Sequence, residues 1–261
     1  MEALLRTLQE QQQQGQPHAL ATVIEVTGSS SAIVGSKAVI GEAGDVLIGW
    51  VGGGCAQSTV CQAARDALQD GSPRVVEIDM ENEASGMPCG GKMRVFVEPL
   101  LPSPRLYLLG HGQIAETVCS LAAQVGFKVT VHDVSATAER FPTACHIDSD
   151  DLGYSHLDLQ AGDYVVIATQ HKGDYRALRH VLNKPMAYVA LIASHKRGRL
   201  IIEKLSDEGV DPTALARLRT PAGLNLGAQT PEEIALSVVS EMVMIRRGAS
   251  GQSKSQVHPL F

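Results

Sequence analysis

The chain has 261 residues, enough for two ordinary domains. Aliphatic residues supply most of its 44% hydrophobic content, since aromatics make up only 4%, so stacking platforms for nucleic-acid bases are not expected. With a net charge of −6 and no Lys/Arg run, the sequence excludes a dominant contact with a phosphate backbone.

The opening residues 1–14 read as a short amphipathic helix with Leu4, Leu5 and Leu8 on one face. They lack the basic and continuous apolar regions of a secretion signal. No apolar stretch is long enough to span a bilayer, so a cytoplasmic protein without membrane association is expected. Five cysteines, Cys55, Cys61, Cys89, Cys119 and Cys145, form no CxxC pair and no zinc-finger spacing. An odd count in a reducing compartment argues against a disulfide framework.

Residues 19–26, 37–40 and 46–51 read as strands, and 56–70 as a helix stopped by Gly71. Two more strands, 74–80 and 93–100, bracket a loop containing Cys89. This first region, 1–100, is α+β. Pro102 and Pro104 mark 101–104 as a linker, because proline cannot continue a central strand. Beyond it, apolar runs at 105–110, 127–133, 163–169 and 187–194 alternate with helical stretches. That alternation predicts a Rossmann-type domain with a parallel sheet over 105–248. Its last helix is marked by Thr230 as N-cap, Pro231 in the first turn, Glu233 completing a capping box and Gly248 as the stop. The tail, 249–261, is expected to be disordered.

Two glycine-rich loops carry the candidate chemistry. Gly110-x-Gly112-x-x-Ala115 follows a strand and opens a helix. The first glycine permits the tight turn, the second lets backbone approach a phosphate, and the small third residue lets helix and strand pack closely. The helix N-terminus then offers N–H groups to an anion. His111, inside the loop, is a candidate phosphate contact. Asp133 ends the next strand 23 residues after Gly110, where an acid accepts a bond from a ribose hydroxyl. The second loop is Gly52-Gly53-Gly54-Cys55. Three glycines allow close approach to a ligand, and a thiol at a helix start is biased toward thiolate, which is both a nucleophile and a soft-metal ligand. Cys89, framed by Pro88 and Gly90, is a second candidate. Cys119 and Cys145 fall in apolar contexts, and their replacement by serine is expected to bury a hydroxyl.

Five segments occur in order: TVIEVTGSS, IGWVGGGC, GMPCGGKMRVFVEPL, LYLLGHGQIAETV and PAGLNLGAQTPEEIALSVVSEM. Together they closely resemble the xanthine dehydrogenase accessory factor family (XdhC/CoxI type), over about residues 18–247. The resemblance departs at Ser30-Ser31-Ala32, where the family usually has Ser-Pro-Arg, and at Thr169-Gln170-His171, where it often has Thr-His-Asp.

The resemblance implies a chaperone that binds molybdenum cofactor (molybdopterin or its dinucleotide form), supports its sulfuration and delivers it to a molybdenum hydroxylase. By position, Cys55 is the family's GGGC cysteine and its candidate metal ligand, and Gly110, Gly112 and Ala115 form its fingerprint. A cysteine desulfurase is a further implied partner. A homodimer is expected as the commonest closed assembly. No catalytic residue is assigned. Two other readings stay open: an NAD(P)-dependent oxidoreductase built on Gly110, Gly112 and Asp133 with His171, Asp174 and His195, and a thiol or sulfur-transfer enzyme using Cys55 and Cys89.

Overall fold

A computed structural model describes residues 1–79, 91–151, 153–169 and 173–257. The chain divides into two units, Met1–Pro102 and Ser103–Phe261.

The first unit opens with helix α1 (Glu2–Gln14), closed by Gly15 in the left-handed conformation. Of the expected apolar face Leu4 is buried, but Leu5 is 57% exposed. Strands β1 (His18–Gly28), β2 (Lys37–Gly41) and β3 (Val46–Gly49) follow, then helix α2 (Gly54–Asp70) and strands β4 (Arg74–Asp79) and β5 (Gly91–Leu100). They form one five-stranded sheet in the order β3-β2-β1-β5-β4, and all four pairings are antiparallel. One face is inward: Met93, Val95 and Val97 of β5 and Ala19, Ala21 and Val23 of β1 pack with Val60, Ala64 and Ala67 of α2. This is the period-2 burial of a sheet with one covered face.

The second unit contains β6 (Arg105–Gly110), α3 (Gln113–Gln124), β7 (Lys128–His132), β8 (His146–Asp148), β9 (Tyr164–Ala168), α4 (Asp174–Val181) and β10 (Tyr188–Leu191). It continues through α5 (His195–Asp207), α6 (Pro212–Ala216), β11 (Leu218–Arg219) and α7 (Pro231–Arg247) to one exposed turn, α8 (Lys254–Val257). The six strands lie in the order β11-β10-β9-β6-β7-β8, every pair parallel. This is the doubly wound Rossmann arrangement, read outward from β6 in both directions.

Central strands covered on both faces must be apolar throughout, which is why LYLL, YVVIA and YVAL are continuous runs. Leu106 and Leu108 point to the layer of α3 and α7, whereas Tyr107 and Leu109 point to the layer of α4, α5 and α6. The capping signals of α7 are realised: Thr230 accepts from the Glu233 N–H, Glu233 returns to the Thr230 N–H, and Gly248 closes the helix at φ 61°.

A candidate ligand crevice at the switch point of the parallel sheet

Strand order reverses between β6 and β9, where successive connections leave in opposite directions. Open α/β sheets bind ligands in the crevice this creates beyond the strand C-termini. A cleft of about 1310 Å³ lies there, above the roughly 300–1,000 Å³ that holds a drug-sized molecule. His111, Gly112 and Gln113 line it after β6, Ala168 at the end of β9, and Ser194 and His195 after β10. Residues 221–228 and the first turn of α7 close it.

Gly110 has φ 125° and a Cβ there would collide with the Ala168 carbonyl across the β6–β9 pair. Only glycine lets the two strand ends approach this closely. Gly112 is the N-cap of α3 at φ 99°, a conformation L side chains rarely adopt. It has no side chain to cap the helix, so the first-turn N–H groups of α3 face the crevice. Ala115 is fully buried and packs in the cluster that holds Leu106 and Leu108 of β6.

A second helix start borders the same space. Ser194 caps α5, accepting from the Arg197 N–H at 3.3 Å, and His195, Lys196 and Arg197 fill its first turn with no acidic residue. Basic side chains at a helix N-terminus oppose the dipole, an arrangement that an anion would offset. By contrast α7 begins with Glu232 and Glu233, which neutralise its own terminus. The starts of α3 and α5 thus border the crevice: the one acid in the first turn of α3, Glu116, is paired with Arg140, and α5 has none, so both can face a negatively charged group.

Buried ion pairs hold these walls. Asp174, at the head of α4, accepts from Thr169 Oγ1 and, at 2.9 and 2.6 Å, from Nε and Nη2 of Arg197. This locks the start of α5 to the end of β9. Asp174 is thus engaged as an anchor; His171, which the sequence grouped with Asp174 and His195, lies outside the described residues. Glu241 of α7 accepts from the Tyr188 hydroxyl at 2.6 Å, the Gly223 N–H at 3.0 Å and Arg219 Nη1 at 3.1 Å. It pins the 221–228 wall to the sheet. Burial, then the bond to Glu241, pushes the Tyr188 hydroxyl far above its ordinary pKa.

Asp133 follows β7, and its Oδ1 stands 2.9 Å from His111 Nδ1 while also accepting the Ser135 N–H at 2.8 Å. The two polar candidates of the fingerprint thus meet each other. In the first unit, Gly53 caps α2 and Cys55 is the helix's second residue. Gly52 is required locally, with φ 126° and little room before Ala56 and Met93, whereas a Cβ at Gly53 would meet open space. Cys89 lies outside the described residues.

Cys119 is fully buried, its thiol pushed up by burial, with Sγ 3.5 Å from Thr143 Oγ1. Cys145 is exposed, which corrects its reading as an apolar position: it immediately precedes β8, the edge strand of the sheet. The crevice residues that sequence reasoning left out include Ser194 and the wall 221–228. Position at the C-terminal end of a parallel strand was the available signal for Ser194.

Residues 106–242 match the XdhC Rossmann domain, and residues 11–79 match the XdhC and CoxI family. The chain is 33% identical over 249 residues to the Escherichia coli (strain K12) protein YqeB, covering 92% of this chain and 46% of that one. It is 30% identical over 159 residues to a Bacillus subtilis (strain 168) protein described as a probable xanthine dehydrogenase component, covering 59% and 46%. It is 21% identical over 300 residues to the molybdenum cofactor insertion chaperone PaoD of Escherichia coli (strain K12), covering 93% and 88%. The chain thus spans about half the length of the first two relatives. A crystal structure of a Bacillus halodurans protein described as a xanthine dehydrogenase shares the fold, with TM-score 0.52 at 23% identity over 97% of this chain and 98% of that one. Among the described residues, no helix is long and apolar enough to cross a membrane.

Proposed function

This chain belongs to the XdhC and CoxI family, and we propose that it is an accessory protein that binds molybdenum cofactor as cargo, protects it, supports its sulfuration and delivers it to a molybdenum hydroxylase such as xanthine dehydrogenase. The observation that carries this reading is the switch-point crevice, where the starts of α3 and α5 face a space sized for an extended ligand. Molybdenum cofactor ends in a phosphate or a pyrophosphate-linked nucleotide, the chemistry that helix N-termini accept. The relative named for molybdenum cofactor insertion supports the same cargo.

Molybdenum cofactor also carries a dithiolene and a metal that prefer sulfur. Cys55, two residues into α2 behind three glycines, is the proposed thiolate for the metal. Cys89 is a second candidate. A cysteine desulfurase is the proposed sulfur source, a homodimer the proposed assembly and the cytoplasm the proposed compartment. The chain's own part is to hold and orient the cargo, without turnover.

The test is co-expression with a molybdenum cofactor pathway, gentle purification and identification of the small molecule carried. A bound pterin, lost in Gly112→Asp, is the expected result. A pterin-free protein that reduces a nicotinamide dinucleotide would instead establish the oxidoreductase reading.

A further inference from the structure

Away from the crevice, the outer edge of the parallel sheet gathers a different set of groups. His132 ends β7 and is in register with Asp148, which ends β8. Val129 and Val131 face the α3 layer and Ile147 packs against it. Strand alternation therefore sends His132 and Asp148 together to the opposite face. Asp151 follows in the loop after β8.

His132 is 3% exposed, and neither ring nitrogen has a hydrogen-bond partner among the described residues. Leaving both nitrogens of a buried imidazole unsatisfied is costly unless another partner occupies the site. Its Nδ1 lies 3.7 Å from Asp148 Oδ2. One ligand atom each from His132, Asp148 and Asp151 falls within 4.8 Å of the others. The two carboxylates are themselves almost covered, at 11% and 4% side-chain exposure. Among the described residues, no lysine or arginine lies within ion-pair distance of either, and their ion-pair partners are histidines. Asp148 Oδ1 also accepts the Asp150 and Asp151 N–H groups, and Asp151 accepts from the Gly153 and His156 N–H groups and from Ser155 Oγ. Among the described residues no guanidinium or ammonium faces these two carboxylates, and a cation between them would also give the buried His132 ring its missing partner.

We propose that His132, Asp148 and Asp151 bind a divalent first-row transition ion of the zinc type. Two ligands about 2.1 Å from a tetrahedral ion stand about 3.4 Å apart, so the His132–Asp148 spacing needs little adjustment. An imidazole with two carboxylates suits this class better than magnesium or calcium, which favour all-oxygen shells. His156, whose Nδ1 is 2.9 Å from Asp148 Oδ2 and 3.9 Å from Asp151 Oδ2, is exposed and placed to complete the shell. The ion would tie the 148–156 loop to the end of β7, one residue before Asp133. It is a site separate from the molybdenum cargo and does not depend on that reading.

The full chain is dialysed against zinc to saturation and its metal content compared with that of Asp148→Asn and Asp151→Asn. Each variant is expected to hold one equivalent fewer, whatever the cysteines bind. Equal zinc content in folded variants overturns the proposal. Should the variants not fold, the imidazole nitrogen resonances of His132 are followed in the unaltered protein as zinc is added. A shift of those resonances supports the site, and their standing still through saturation overturns it.

Discussion

His111 Nδ1 and Asp133 Oδ1 stand 2.9 Å apart, although one belongs to the fingerprint loop after β6 and the other to the end of β7. The pair places an imidazole between the acid and a crevice that otherwise favours anions. Replacing His111 with alanine uncovers the carboxylate beside the phosphate position. Affinity for isolated molybdenum cofactor is expected to fall roughly tenfold, about 1.4 kcal/mol. In a double-mutant cycle, Asp133→Asn on the His111→Ala background should recover at least half of that loss. Strictly additive effects in the titrations would show that the two residues do not act together.

Three glycines with positive φ separate backbone strain from ligand approach. Gly112→Ala and Gly126→Ala each force a side chain into the left-handed region, at φ 99° and 89°, for a cost of about 1–2 kcal/mol. Both should lower the thermal midpoint by a similar few degrees. Only Gly112→Ala should weaken cofactor binding, since Gly126 follows the Val125 C-cap of α3, at the far end from the crevice. Gly110→Ala should be the most destabilising of the three, because its Cβ also meets the Ala168 carbonyl. Equal cofactor affinity for folded Gly112→Ala and Gly126→Ala would remove the α3 N-terminus from the site.

The cysteines divide by burial and position. Cys55→Ser should leave the thermal midpoint nearly unchanged, since serine is accepted near a helix start, yet abolish activation of a molybdenum hydroxylase client after reconstitution. Cys119→Ser puts a hydroxyl into the core and should cost roughly 1–3 kcal/mol, toward the low end because Thr143 Oγ1 is at hand. Cys145→Ser, at an exposed position, should stay within about 0.5 kcal/mol. Client activation that survives Cys55→Ser while the midpoint drops would reduce Cys55 to a packed residue.

Alkaline stability should report Tyr188. Its folded pKa is raised by burial and by the bond to Glu241 above an ordinary value of 10.0. Above that ordinary value the unfolded chain loses the phenolic proton while the folded chain keeps it. The folded state then binds more protons, so stability falls as pH rises past about 10. Tyr188→Phe should flatten the decline in denaturation midpoint between about pH 9.5 and 11, although it lowers stability at neutral pH by removing one of the three donors to the buried Glu241 carboxylate. A slope unchanged by the substitution would assign the effect to the other buried tyrosines, Tyr107, Tyr154 and Tyr164.

The features legible in the sequence are those whose cause is local. Apolar runs announced β6, β9 and β10, because a strand covered on both faces has no polar alternative. Thr230, Glu233 and Gly248 announced the ends of α7, because capping is settled within one turn. Gly110 and Gly112 announced a tight turn through the freedom of their own backbones. The edge strands β8 and β11, three and two residues long, carry too little periodicity to read and exist only because a neighbour pairs with them. Tertiary structure alone decided which distant side chains meet: His111 with Asp133, Asp174 with Arg197, Glu241 with Tyr188, His132 with Asp148. The reason is that strand order and register, not spacing along the chain, set those encounters, and both are outcomes of packing the whole sheet.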